Sequence, residues 1–171
     1  MREFFGTVVS VIIVVIGMYV IPIKDTANRQ DTEIAAYVYA ITNDFVDSVE
    51  LNGYISQDMY NEFLSDLDTT GNGYTISMVH GHDVYMPKFN ETGDAVTGTT
   101  TTASTTYEDA ILEDLYDTDG VYYLEAGDHF SVTVKNKNRT LSQKINRILT
   151  GASVKYSIVA TAGGTVRNEN Y

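Results

Sequence analysis

Three histidines and a handful of aspartates carry whatever side-chain chemistry this chain can perform. His80 and His82 flank Gly81 in a strand-like segment. Alternation along a strand puts both on one face, and His129, close to another strand, is the third nitrogen ligand that a zinc site would need. The same spacing occurs on solvated strand faces that hold no metal, and no Asp or Glu stands at a fixed distance to serve as a general base. The stretch from Asp66, DLDTTGNGYTIS, resembles a calcium loop in two registers, one using Asp68, Asn72 and Gly73, the other Asp66, Asp68 and Gly71. The twelfth position is then Val79 or Ser77, neither of which supplies the bidentate carboxylate, and a helix-ending turn accounts for the same residues. Asp117-Thr118-Asp119-Gly120 has the composition of a tight turn.

Ser, His and Asp are all present, but there is no G-x-S-x-G elbow and no phosphate-binding glycine loop. Asn90-Glu91-Thr92 and Asn138-Arg139-Thr140 fit the short glycosylation pattern, which by itself assigns no role. The expectation is a non-enzymatic protein with no assigned catalytic, cofactor or metal residue.

Composition narrows the field further. The chain has 171 residues, 11 Lys+Arg against 23 Asp+Glu, and a formal net charge of −12, so its surface repels polyanions and nucleic acid is excluded as a partner. Cysteine is absent, which removes disulfides and thiolate chemistry together. Thirteen tyrosines and no tryptophan predict an interior in which many rings are both packed and hydrogen-bonded.

From Phe4 to Ile23 the sequence reads FFGTVVSVIIVVIGMYVIPI, twenty residues without a charge. As a helix rising about 1.5 Å per residue, this run matches a hydrocarbon core of about 30 Å. A buried core helix is rarely apolar on every face for so long. The run exceeds the apolar stretch of a signal peptide, and PIKDTANRQD after it offers no small-x-small cleavage site, so residues 1–23 are expected to remain as a single transmembrane anchor. Arg2 lies on one side and Lys24 and Arg29 on the other, leaving the charge count balanced; the surface-like remainder favours a cytoplasmic N-terminus and an extracellular head on a bacterial cell. Gly6, Ser10 and Gly17 are small enough for another helix to approach closely.

Beyond Pro22, the residues Ile34, Tyr37, Val38, Ile41, Phe45 and Val49 recur at three- and four-residue steps. This predicts an amphipathic stalk over 24–51 that continues the spanning helix through a bend at Pro22 and stops at Asn52-Gly53. Ser56 caps a second helix, Gln57 to Asp68, with Ile55 and Tyr60 as a hydrophobic staple. A strand begins at Tyr74. The Gly/Thr/Ser-rich region 90–106 predicts a flexible loop, and Thr106 with Asp109 has capping-box spacing before a short helix. VYYL and HFSVTVKNK predict a strand pair. Thr140 and Gln143 open a helix closed at Gly151, Ser153 to Ala162 forms the last strand, and 163–171 is a frayed tail. The sum is an α+β head over 52–162 with an antiparallel sheet of about four strands.

An anchor at the very start, bent at Pro22 and running on as a stalk into an α+β head, resembles the layout of pilins and pseudopilins. The type IV processing pattern is not matched, because Glu3 precedes the apolar run and no residue from Phe4 to Ile23 is acidic. MREFFG, NDFVDSVELNGYISQDMYNEFLSDLDTTGNGYTI, GDHFSVTVKN and GGTVRNE, about a third of the chain, are similar to stretches in short anchored proteins of Gram-positive bacteria. Those proteins accompany tight-adherence (Tad) pilus and type II/IV-like secretion components. The resemblance implies a minor pilin-like or assembly role, with the membrane and like or related pilin subunits as partners through the N-terminal helix. It implies no catalytic residue and no cofactor. The alternative is a membrane-tethered ligand-binding or sensing domain.

Overall fold

The structure, a computed structural model, describes residues 2–89, 96–118, 120–151 and 158–167. Its first element, α1 (Arg2–Asn52), is one helix of 51 residues and about 76 Å long at 1.5 Å per residue. Pro22 lies inside it and removes one backbone donor. A turn later the Thr26 hydroxyl donates to the Pro22 carbonyl at 3.0 Å. The helix stops at Gly53, whose φ of 73° is a left-handed conformation that glycine adopts without strain. Its N–H still reaches the Val49 carbonyl at 2.8 Å.

The short strand β1 (Tyr54–Ser56) leads into α2 (Gln57–Asp68), whose first turn is capped as expected by the Ser56 hydroxyl accepting from the Met59 N–H at 3.2 Å. Two strands follow, β2 (Tyr74–Phe89) and β3 (Val96–Tyr107). Helix α3 (Glu108–Glu113) passes into a π-helical turn (Asp114–Thr118) and then β4 (Val121–Tyr123). Strand β5 (His129–Asn136), helix α4 (Leu141–Thr150) and strand β6 (Val159–Thr165) complete the fold. The α+β class expected from the sequence is the class observed. The larger sheet has the order β3-β2-β5-β6 with every pair antiparallel, and β1 pairs with β4 in a separate two-stranded sheet.

The core lies between the larger sheet and the upper half of α1. Ile76, Met78, Phe130, Val132, Val134, Ala160 and Ala162 form one inward face, met by Val38, Ile41, Phe45, Val46 and Val49. Helix α2 closes one side with Tyr60, Phe63 and Leu67, and the rings of Phe45 and Phe63 stack at 4.5 Å. Burial pushes the Tyr60 phenol up to about 12, with the Glu108 carboxylate and Tyr116 adding to the effect.

Four expectations need correction. The Thr-rich region is a strand where it is described: Val96–Tyr107 pairs with β2 from Phe89 back to Val79. β-branched threonines fit a pleated edge without a buried face, so the pairing does not need the apolar content whose scarcity suggested a loop. VYYL does not pair with β5; Tyr122 sits opposite Ile55 in the small sheet. Thr106 belongs to β3, and Tyr107 occupies the cap position of α3 with no side-chain bond. Finally, the chain from Gly163 is not frayed as far as Arg167, because Gly163 and Gly164 pair with Ser131 and Phe130 and Val166 is 1% exposed. The early part of the expected last strand, 153–157, lies outside the described residues.

Candidate functional site

Strand β2 presents His80 and His82 on one face, as their spacing requires, and the group that joins them comes from the turn before β5. Asp128 is 4% exposed. Its Oδ2 accepts from His80 Nε2 at 2.8 Å and its Oδ1 from His82 Nδ1 at 2.5 Å. The Glu125 backbone N–H adds a third donor to Oδ2 at 2.8 Å. A carboxylate only accepts, so His80 carries its proton on Nε2 when neutral and its Nδ1 accepts from the Tyr122 hydroxyl at 2.7 Å. Tyr122 in turn bonds the Thr106 hydroxyl. The result is a chain from Thr106 through Tyr122, His80 and Asp128 to His82, spanning β3, β4, β2 and the turn before β5.

Burial opposes ionisation of Asp128, but the hydrogen bonds from His82, the Glu125 N–H and His80 outweigh it and hold its carboxyl below the usual carboxylate range. The bond to Asp128 and its charge raise the more exposed His82 imidazole above its ordinary value. Burial raises the Tyr122 phenol, against the Thr106 bond that lowers it. This arrangement fixes charge and tautomer within the fold.

The three-histidine arrangement does not form. His129 is the register partner of Gly81, so it lies on the opposite face of the sheet from His80 and His82 and is exposed. Among the described residues, no cluster of three or more His, Cys, Asp or Glu is placed to hold a metal. The calcium-loop stretch is also otherwise engaged. Thr69 and Thr70 cap the end of α2 through the Asp66 and Leu67 carbonyls, while Asn138 accepts from the Gly73 N–H at 3.1 Å and donates to Asn72 at 3.0 Å. Asp66 faces a groove instead, and Asp68 is exposed. The same bonds occupy the Asn138 side chain of one glycosylation pattern; the other, Asn90-Glu91-Thr92, lies outside the described residues.

The groove, of 260 Å³, runs between α1 and α2 with Ile41, Phe45, Met59 and Phe63 in its floor and Asp44, Glu62 and Asp66 on its rim. Two carboxylates of α1 seat the rest of the head. Asp31 accepts from the Thr140 hydroxyl at 2.6 Å and from the Ser142 hydroxyl, at the start of α4. Glu50, 8% exposed, lies against β6 with Arg167 3.7 Å away, and the Arg167 N–H donates to the Glu50 carbonyl at 2.8 Å. A Cβ on Gly164 would displace the Glu50 carboxylate, whereas one on Gly163 would lie 2.7 Å from the Ser131 Cβ and 3.0 Å from the Phe130 carbonyl oxygen. Neither Asp128 nor Gly164 is marked by local spacing; Gly127-Asp128 has only the composition of a turn.

The lower half of α1 has no such partners. Every residue from Phe4 to Ile16 is exposed, the most apolar window of the helix has 0% of its residues buried, and the helix is long and apolar enough to cross a bilayer. This half is compatible with single-pass membrane anchoring, and a Cβ on Gly6 or Gly17 would meet nothing within 4 Å. No protein-family model, curated protein or solved structure matches the chain.

Proposed function

We propose that this chain is a structural, non-enzymatic, pilin-like or pseudopilin-like component of a bacterial surface pilus or secretion apparatus. Its N-terminus is cytoplasmic, its head extracellular, and α1 packs on like or related subunits. One observation carries this reading: a single helix whose first part is apolar and exposed from Phe4 to Ile16, and whose second half forms the spine of an α+β head. Such a helix is satisfied by lipid and equally by the apolar helices of neighbouring subunits, which allows one segment to serve in the bilayer and in a filament. Three of the four stretches that resemble Tad-associated proteins also meet in space: Glu50 of one lies against Gly164 and Arg167 of another, whose Val166 N–H donates to the Asp128 carbonyl of the third.

The test is intact-mass analysis of the protein from membranes and from sheared surface filaments, with surface-protease accessibility of the head. Recovery in the sheared fraction supports the subunit reading, and the mass reports whether the anchor has been processed. Confinement to membranes, with the head accessible, moves the assignment to a tethered binding or sensing domain. The acid-rimmed groove between α1 and α2 favours a cationic or basic ligand for that second reading.

A further inference from the structure

Charge is divided sharply along this acidic chain. Between Asp128 and Glu169 there is no acidic residue at all, whereas Lys135, Lys137, Arg139, Lys144, Arg147 and Arg167 fall within that stretch. Helix α4 lies in this basic segment and contains no Asp or Glu. It packs on α1, and the Thr140 and Ser142 hydroxyls fix its first turn at Asp31.

Asp31 is eight residues beyond the end of the apolar run, about 12 Å along the helix axis. A headgroup layer occupies roughly the first 5–7 Å of that distance, and a Lys or Arg side chain can span what remains. The opposite side of α4 is apolar and free: Leu141 is 53% and Ile148 83% exposed, seven residues apart and so on one face, with Lys144 beside them and Arg147 adjoining. Lys144, Arg147 and Arg139 are exposed and take part in none of the described ion pairs. Lys24 and Arg29 lie on α1 between the apolar run and Asp31.

We infer that α4 is an interfacial membrane-binding helix, which lays Leu141 and Ile148 into the headgroup region of an anionic bilayer while Lys144, Arg147 and Arg139 engage lipid phosphates. This rests on the reading of the lower half of α1 as a membrane anchor. An amphipathic segment with a basic flank binds such surfaces by apolar burial together with charge attraction. The head is then held at two points, the anchor and α4, and sits on the membrane in one orientation.

The chain has no tryptophan, so single tryptophans report position directly in the full-length protein reconstituted into vesicles. Ile148→Trp is the probe for α4 and Ile13→Trp the probe for the anchor. In vesicles containing phosphatidylglycerol, both emissions are expected at short wavelength and quenched by brominated acyl chains. Adding Lys144→Glu and Arg147→Glu, or using phosphatidylcholine alone, should abolish quenching at Ile148→Trp and leave Ile13→Trp unchanged. If Ile13→Trp is quenched and Ile148→Trp is not, the inference about α4 is overturned and the anchor stands. If neither is quenched, the anchor reading fails and takes this one with it. A blue-shifted Ile148→Trp that bromolipid does not quench overturns the proposal in favour of a protein surface, such as the acidic head of a second copy.

Discussion

The two halves of α1 are the same secondary structure in opposite surroundings. Val11, Ile12, Ile13 and Val14 are all more than half exposed, while Val38, Val46 and Val49 at the other end are at most 2% exposed. The lower half is apolar on every side and its residues from Phe4 to Ile16 are exposed; the upper half is apolar on one stripe and meets a sheet. Helix formation therefore says little about where α1 belongs. The angular distribution of apolar side chains decides it, since a full circumference needs an apolar solvent and a stripe needs only an apolar neighbour.

Exchanging side chains between these settings tests the contrast. The largest effect is expected from Phe45→Ala, which removes the ring stacked on Phe63 and in edge contact with Phe130. It should cost the head about 3–5 kcal/mol, read by thermal or denaturant unfolding in detergent, with membrane retention unchanged. Ile13→Lys should do the reverse. A charge near the bilayer centre disfavours insertion by about 2.5–3.5 kcal/mol, so carbonate-resistant membrane association should fall while the melting temperature of the head holds. A loss of head stability in that variant would mean that the lower half contacts the head after all.

Gly164→Ala should destabilise the head by about 1 kcal/mol, because the Glu50 side chain has to move its carboxylate aside. Pairing it with Glu50→Ala should recover part of the loss in a double-mutant cycle, and strictly additive effects would refute the close approach.

The smallest effect is the dependence on pH, confined to the head. Asp128 holds His82 above its ordinary value, so this pairing stabilises fully below about pH 6.5, and the contribution fades as pH rises through the raised folded value. Asp128, held low, contributes above the ordinary carboxylate value and loses that contribution as pH falls through its depressed one. The melting temperature should thus decline modestly from mildly acidic to alkaline pH, and His82→Ala should flatten that decline. An unchanged slope in the variant would show that the His82–Asp128 bond is not populated in solution.

Local signals in the sequence were read correctly where a single segment contains its own cause. The Ser56 and Thr140 caps and the stops at Gly53 and Gly151 are all of this kind, because cap and turn act over one or two turns of helix. Misreadings arose where a partner lies far along the chain. Asp128 meets His82 across 46 residues and His80 across 48, and nothing near His80 marks a carboxylate on its face rather than a third histidine. β3 was missed because its threonines carry β propensity without an apolar alternation. β4 was assigned to its neighbour in sequence, when its edge was taken by β1. The Gly163-Gly164 pair looked like a loose end for the reason it fits: a side chain on Gly163 would collide with Ser131 and the Phe130 carbonyl of the neighbouring strand.

Continuity of α1 has a geometric consequence. A helix advances about 100° per residue, so a rod without a break fixes the azimuth of everything attached to it. On that count, Gly6, Ser10 and Gly17 project within about 40° of one another and within roughly 100° of Val38, Phe45 and Val49. Inserting a single residue after Lys24 would swing the head by about 100° around the anchor, leaving both ends intact and their relative bearing wrong.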